Sequence, residues 1–110
     1  MDQKTFNKIV KSRIRQIEKM LTSKGAEYAN ADRLSNFKDG AAFRKRTPEG
    51  ICLDYVTKHL VALNEFIARI EAGESVPAGQ WIEKIQDIAI YMLLMEAILV
   101  DSERIPDEAT

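Results

Sequence analysis

The chain has 110 residues, 45% hydrophobic and 30% charged, the make-up of one folded globular domain, which excludes disorder over most of its length. Sixteen lysines and arginines against 17 acids leave a net charge of −1, so the chain as a whole exerts no pull on nucleic acids or anionic membranes. A single cysteine, Cys52, excludes an internal disulfide and a multi-cysteine zinc site and fits a reducing, cytoplasmic setting.

Helical spacing dominates from end to end, and no run alternates apolar and polar residues as a half-buried strand would. The opening MDQKTFNKIVKSRIRQIEKM has no uninterrupted apolar stretch, so it reads as neither signal peptide nor anchor. A first helix is predicted from about Gln3 with Asp2 as its N-cap. Phe6, Val10, Ile14, Ile17 and Leu21 mark one face of it, with Lys4, Lys8, Lys11, Arg15 and Lys19 off that stripe. Residues 30–46 are irregular, with a short helix around Leu34, Phe37, Ala41 and Ala42 weakened by Gly40.

Thr47-Pro48-Glu49 is a strong start signal: a hydroxyl N-cap, proline at the first helical position and an acid in the first turn. The helix it opens carries Leu53, Val56, Leu60, Leu63, Ile67 and Ile70 on one face and should stop at Gly73. A turn containing Pro77 leads to a last helix over about 80–101. Its most apolar stretch, residues 88–100, spans thirteen positions and includes Glu96. About 18 would be needed to cross a membrane, so a buried helix is expected. The predicted fold is all-α: a compact antiparallel bundle of three long helices and a short one, a single domain over 1–102 with a frayed tail at 103–110. The apolar surface of the last helix exceeds what so few neighbours can cover, which predicts self-association.

Asp87 is the most informative residue. It shares a helical face with Ile90, Tyr91, Leu94 and Ile98, and a carboxylate there needs a cation, a donor or a metal. Glu83 stands one turn earlier, and two such carboxylates suit Mg²⁺ or Mn²⁺ shared with phosphates. The structural alternative is an exposed Glu83 and an Asp87 paired with a lysine or arginine. Lys58 and His59 form a second cluster, with Asp54 one turn before Lys58. Asp54 and Lys58 have the spacing of an ordinary surface pair, and His59 that of a satisfied core histidine or of a donor to phosphate or carboxylate. Tyr55 and Tyr91 would place hydroxyls near them.

Glu27-Tyr28 and the run Arg33-Leu34-Ser35-Asn36-Phe37-Lys38 combine a carboxylate, aromatics, an amide and cations within a dozen residues. Asn36 could read a base or ribose edge, Phe37 or Tyr28 could stack on a base, and Lys38 could hold phosphate. The same residues could equally plug the end of the bundle and cap a turn. Walker, GxGxxG, HExxH and EF-hand motifs are absent, and the placement of Cys52 on a core-facing helical position argues against Cys–His catalysis.

In the order of these elements the chain resembles small phage and prophage proteins related to the all-α, MazG-like nucleotide pyrophosphohydrolases. Glu27-Tyr28, the N-F-K at 36–38, the TPEG at 47–50, the K-H-L at 58–60 and the E-K-I-Q-D-I-A-I-Y run at 83–91 carry the resemblance. It spans about residues 20–100. The resemblance implies Mg²⁺ held at a triphosphate by an E-x-x-E pair on one helix and E-x-x-D on a later one. Here Asp87 matches the later helix, but Lys84 stands three residues before it and Glu83 is one position off. In the helix from Pro48 the acid pair is missing.

Two function classes follow, and a blander third. In the first, Asp87, Glu83 and Glu27 or Asp54 hold Mg²⁺ or Mn²⁺, with His59 beside the reaction. Lys58, His59 and Lys38 neutralise phosphates; Asn36, Phe37, Tyr28 and Tyr91 meet base or sugar; pyrophosphate is released. In the second, the chain is a non-catalytic phage binding protein for a nucleotide signal or a host protein, such as an inhibitor of defence. The third is a helical assembly module without a small ligand.

Overall fold

The structure is a computed structural model and describes residues 1–25 and 32–108. The chain divides into two units, Met1–Arg33 and Leu34–Thr110.

The first unit is built on one helix, α1 (Gln3–Gly25). Asp2 caps it as the sequence predicts, its Oδ1 accepting from the Thr5 N–H at 2.7 Å. These hydrogen bonds from Thr5 hold the Asp2 carboxyl below its ordinary value. Phe6, Ile9, Val10 and Ile14 are exposed on one side of α1, and Lys4, Lys8, Lys11, Arg15 and Lys19 are exposed on the other.

The second unit contains α2 (Ser35–Arg44), α3 (Pro48–Glu71) and α4 (Ala78–Asp101). The Thr47 hydroxyl accepts from the Gly50 N–H at 3.1 Å, and Pro48 occupies the first turn of α3. The helix stops at a glycine, as predicted: Gly73 adopts φ +85°. There the N–H groups of Gly73 and Glu74 close back on the carbonyls of Ile70 and Arg69, a turn whose left-handed residue carries little penalty only when it lacks a Cβ. α3 and α4 run antiparallel, since contacts pair Cys52 with Tyr91, His59 with Asp87 and Phe66 with Trp81. α2 lies against α3 so closely that a Cβ on Gly40 would stand 3.3 Å from Cγ2 of Ile51.

The core of this unit is Leu34, Phe37, Ala41, Ile51, Cys52 and Ile98, with Tyr55, Tyr91, Leu94 and Met95 packed on it. Cys52 is fully buried, as its helical position predicts. The predicted core face of α3 requires correction. Of its six residues only Val56 is buried, while Leu53, Leu60, Ile67 and Ile70 are each 44–50% exposed. The reason is tertiary. α2 and α4 approach α3 on the side of Ile51, Cys52, Tyr55 and His59, which is rotated away from the apolar stripe.

Candidate functional site

The antiparallel pairing of α3 and α4 sets His59 across from Asp87. His59 Nδ1 and Asp87 Oδ2 are 3.8 Å apart, with side chains 19% and 30% exposed. That separation is too long for a hydrogen bond, and His59 Nδ1 is a buried nitrogen with no hydrogen-bond partner. One turn after Asp87 on α4, Tyr91 places its ring 5.5 Å from the imidazole. Tyr55 lies 6.0 Å from Tyr91, and Phe37 lies 5.9 Å from Tyr55. Four rings therefore run from α2 through the α3–α4 seam to His59 and end beside a carboxylate. Burial, then the Asp87 charge, then Cys52 and Tyr55 push the Tyr91 phenol above its ordinary value. Burial likewise raises the Cys52 thiol, whose Sγ contacts the Tyr91 carbonyl oxygen at 3.4 Å.

Of the residues singled out in the sequence, Asp87, His59, Tyr91, Tyr55 and Phe37 are gathered in this way. Phe37 meets the histidine only through the two tyrosines. Asn36 and Lys58 are exposed, and so is Glu83. Glu27 and Tyr28 lie outside the described residues. Lys38 pairs with Asp101 at 3.0 Å, a local charge partner that competes with any phosphate. Asp54 is taken by arginines: Arg46 donates to its carboxylate, and Arg44 stands 3.7 Å away. The i,i+4 pairing expected between Asp54 and Lys58 is thus replaced by one with the cations at the end of α2, which the turn before α3 folds back onto the first turns of that helix. Among the described residues no three His, Cys, Asp or Glu side chains gather as a metal ion would need; Glu27, one of the ligands implied for Mg²⁺ or Mn²⁺, lies outside them.

Sequence reasoning missed two contacts. Trp81 packs edge-on against Phe66 at 5.3 Å, pinning the α3–α4 pair at the end where the turn joins the two helices. Glu49 accepts from Arg104 at 3.3 Å, while its second oxygen is buried without a partner. The first could have been read from the apolar spacing around the turn; the second joins residues 55 positions apart and leaves no local signal. A cleft at the end of α4, lined by Glu96, Val100, Ile105 and Pro106, includes neither His59 nor Asp87.

No helix among the described residues is long and apolar enough to cross a membrane. Comparison with protein-family models, with curated proteins and with solved structures finds no match, so the resemblance to phage and MazG-like proteins gains no support from relatives.

Proposed function

We propose that the protein binds a nucleotide at the His59–Asp87–Tyr91 cluster, as a binding module rather than a hydrolase. The observation that carries this is the buried, unpartnered Nδ1 of His59 facing the Asp87 carboxylate at 3.8 Å. A buried polar atom left without a partner costs about 1–3 kcal/mol, and such atoms persist where a ligand completes them. A sugar hydroxyl has the matching chemistry, because it donates to a carboxylate and accepts from an imidazole N–H at once. Asp87 would repel a phosphate placed against it, so the phosphates belong outward, toward the exposed Lys58. Hydrolysis through a metal needs several carboxylates around the ion; Asp54 is engaged by arginines, and Glu83 is exposed.

The test is a thermal-shift screen of purine and pyrimidine nucleoside triphosphates, with and without Mg²⁺ or Mn²⁺, read together with pyrophosphate release. The expected result is stabilisation approaching about 2.7 kcal/mol when ligand reaches about 100 times Kd, without pyrophosphate. Asp87→Asn should abolish the ligand shift and leave the melting temperature of the free protein unchanged or higher, since it removes a half-buried charge. No shift with any nucleotide overturns the binding proposal. Pyrophosphate release that disappears in Asp87→Asn overturns its non-catalytic half.

A further inference from the structure

Of the eight lysines and arginines in residues 34–108, five are ion-paired, and Lys45 and Lys58 are exposed. Lys84 is the exception. It is half-buried and, among the described residues, has no hydrogen bond, ion pair or ring contact. A lysine stem packs well on apolar surface, but an ammonium drawn part-way out of water costs free energy until an anion meets it. Contacts on either side fix its place. Trp81 packs on Phe66, and Asp87 stands across from His59. Lys84 is three residues from each on α4, and at 100° per residue its direction falls midway between theirs, so it faces the seam with α3. The stretch of α3 opposite, between His59 and Phe66, presents Ala62 and Leu63, both half-buried. Neither has a polar side-chain atom to offer the ammonium.

Two incomplete polar groups therefore stand within one turn of Asp87 along the same seam: the buried Nδ1 of His59 and the Lys84 ammonium. We propose that Lys84 holds the phosphate attached to the sugar, so that the ligand is a ribose 5′-phosphate unit, as in a nucleoside 5′-monophosphate. This rests on the His59–Asp87 pair being the sugar-hydroxyl site. Asp87 takes a hydroxyl and repels an anion from its own position, and Lys84, one turn away, supplies the cation a phosphate needs. Side chains three apart on a helix have their Cβ atoms about 5–6 Å from one another, comparable with the span from a ribose 3′-hydroxyl to the 5′-phosphate of the same nucleotide. An ammonium with three rotatable donors suits the oxygens of a phosphate, and the charge on both groups strengthens each hydrogen bond. Because water screens a half-buried charge less than an exposed one, Lys84 gains more from that contact than Lys58 would. Lys58 is left to meet any second or third phosphate. The first phosphate is then the group the site discriminates by, and later ones add little.

The experiment is isothermal titration of the full chain with adenosine, cytidine, their 5′-monophosphates and ribose 5-phosphate. Each monophosphate should bind about tenfold or more tighter than its nucleoside, the gain expected of a hydrogen bond between charged groups. Lys84→Met keeps the packed stem and removes the charge. It should bring each monophosphate down to the affinity of its nucleoside, leave the nucleoside unchanged, and melt at or above the wild-type temperature, which shows that it folds. Lys45→Met removes the same unit of charge from an exposed position outside the site and should change neither affinity. Equal binding of nucleoside and monophosphate by the wild type overturns the role of Lys84. So does a preference that survives in Lys84→Met, or one lost equally in Lys45→Met; in each case nucleoside binding that disappears in Asp87→Asn leaves the sugar site standing. Conversely, nucleoside binding indifferent to Asp87→Asn overturns the sugar site even where Lys84→Met loses the preference. Ribose 5-phosphate bound as tightly as the monophosphates, with the same dependence on Lys84, supports the phosphate contact and overturns any role for the base. No binding by any probe overturns both the sugar site and the phosphate site.

Discussion

Replacing Gly40 by alanine sets two opposed terms against each other at one position. In a helix interior alanine is favoured over glycine by about 0.8–1.0 kcal/mol, and Gly40 has no positive φ that a side chain would strain. Against this, the new Cβ would stand 3.3 Å from Cγ2 and 3.6 Å from Cγ1 of Ile51. Ile51 is 1% exposed, so it has nowhere to retreat, and overpacking of this kind costs about 1–3 kcal/mol. The net expectation is a loss of about 1 kcal/mol, read as the urea midpoint at unchanged slope. In a unit of this size that corresponds to about 4–8 °C in melting temperature. Gly79→Ala is the control, since nothing lies within 4 Å of its Cβ position and a gain of up to about 1 kcal/mol is expected. Ile51→Ala alone should cost about 2–5 kcal/mol; in that background Gly40→Ala should turn stabilising, a coupling of about 2 kcal/mol between the two sites. Gly40→Ala that stabilises the wild-type protein by the full helix-propensity gain, with no coupling to Ile51, would refute the close approach of α2 to α3.

Thr47→Ala removes the acceptor for the Gly50 N–H at the start of α3 and should cost about 1 kcal/mol, with Thr47→Ser recovering most of it in the same urea titration. Tyr91 is pushed above its ordinary value by burial and the Asp87 charge, so its neutral form is favoured by folding. Its contribution is present in full below about pH 10, where an unfolded tyrosine begins to ionise, and is lost as pH rises from there through the folded value. The expected result is a stability that falls above that range and a late tyrosinate absorbance step, both diminished in Tyr91→Phe; an alkaline stability profile identical in the variant and the wild type would contradict the assignment.

Local chemistry determined the elements. Asp2 before Gln3, Thr47 before Pro48 and the glycine at 73 are signals confined to a few residues, because capping and chain reversal are satisfied within one turn. The sequence therefore announced where α1 and α3 begin and where α3 ends, and the mixed character of Asp87 among apolar neighbours marked it as a group requiring a partner. What the sequence did not determine was which side of each helix faces which neighbour. The regular stripe Leu53–Leu60–Ile67 is the strongest pattern on α3, yet α2 and α4 settle on the less regular side bearing Ile51, Cys52, Tyr55 and His59. A periodic stripe states that a face needs cover but not what covers it. Pairing is likewise decided between elements: Asp54 could have met Lys58 one turn away and instead meets Arg46 and Arg44, and Lys38 meets Asp101. Only the antiparallel crossing of α3 and α4 sets His59 opposite Asp87, with 28 positions of chain between them, because charges and rings so far apart in sequence are brought together by helix packing and by nothing local.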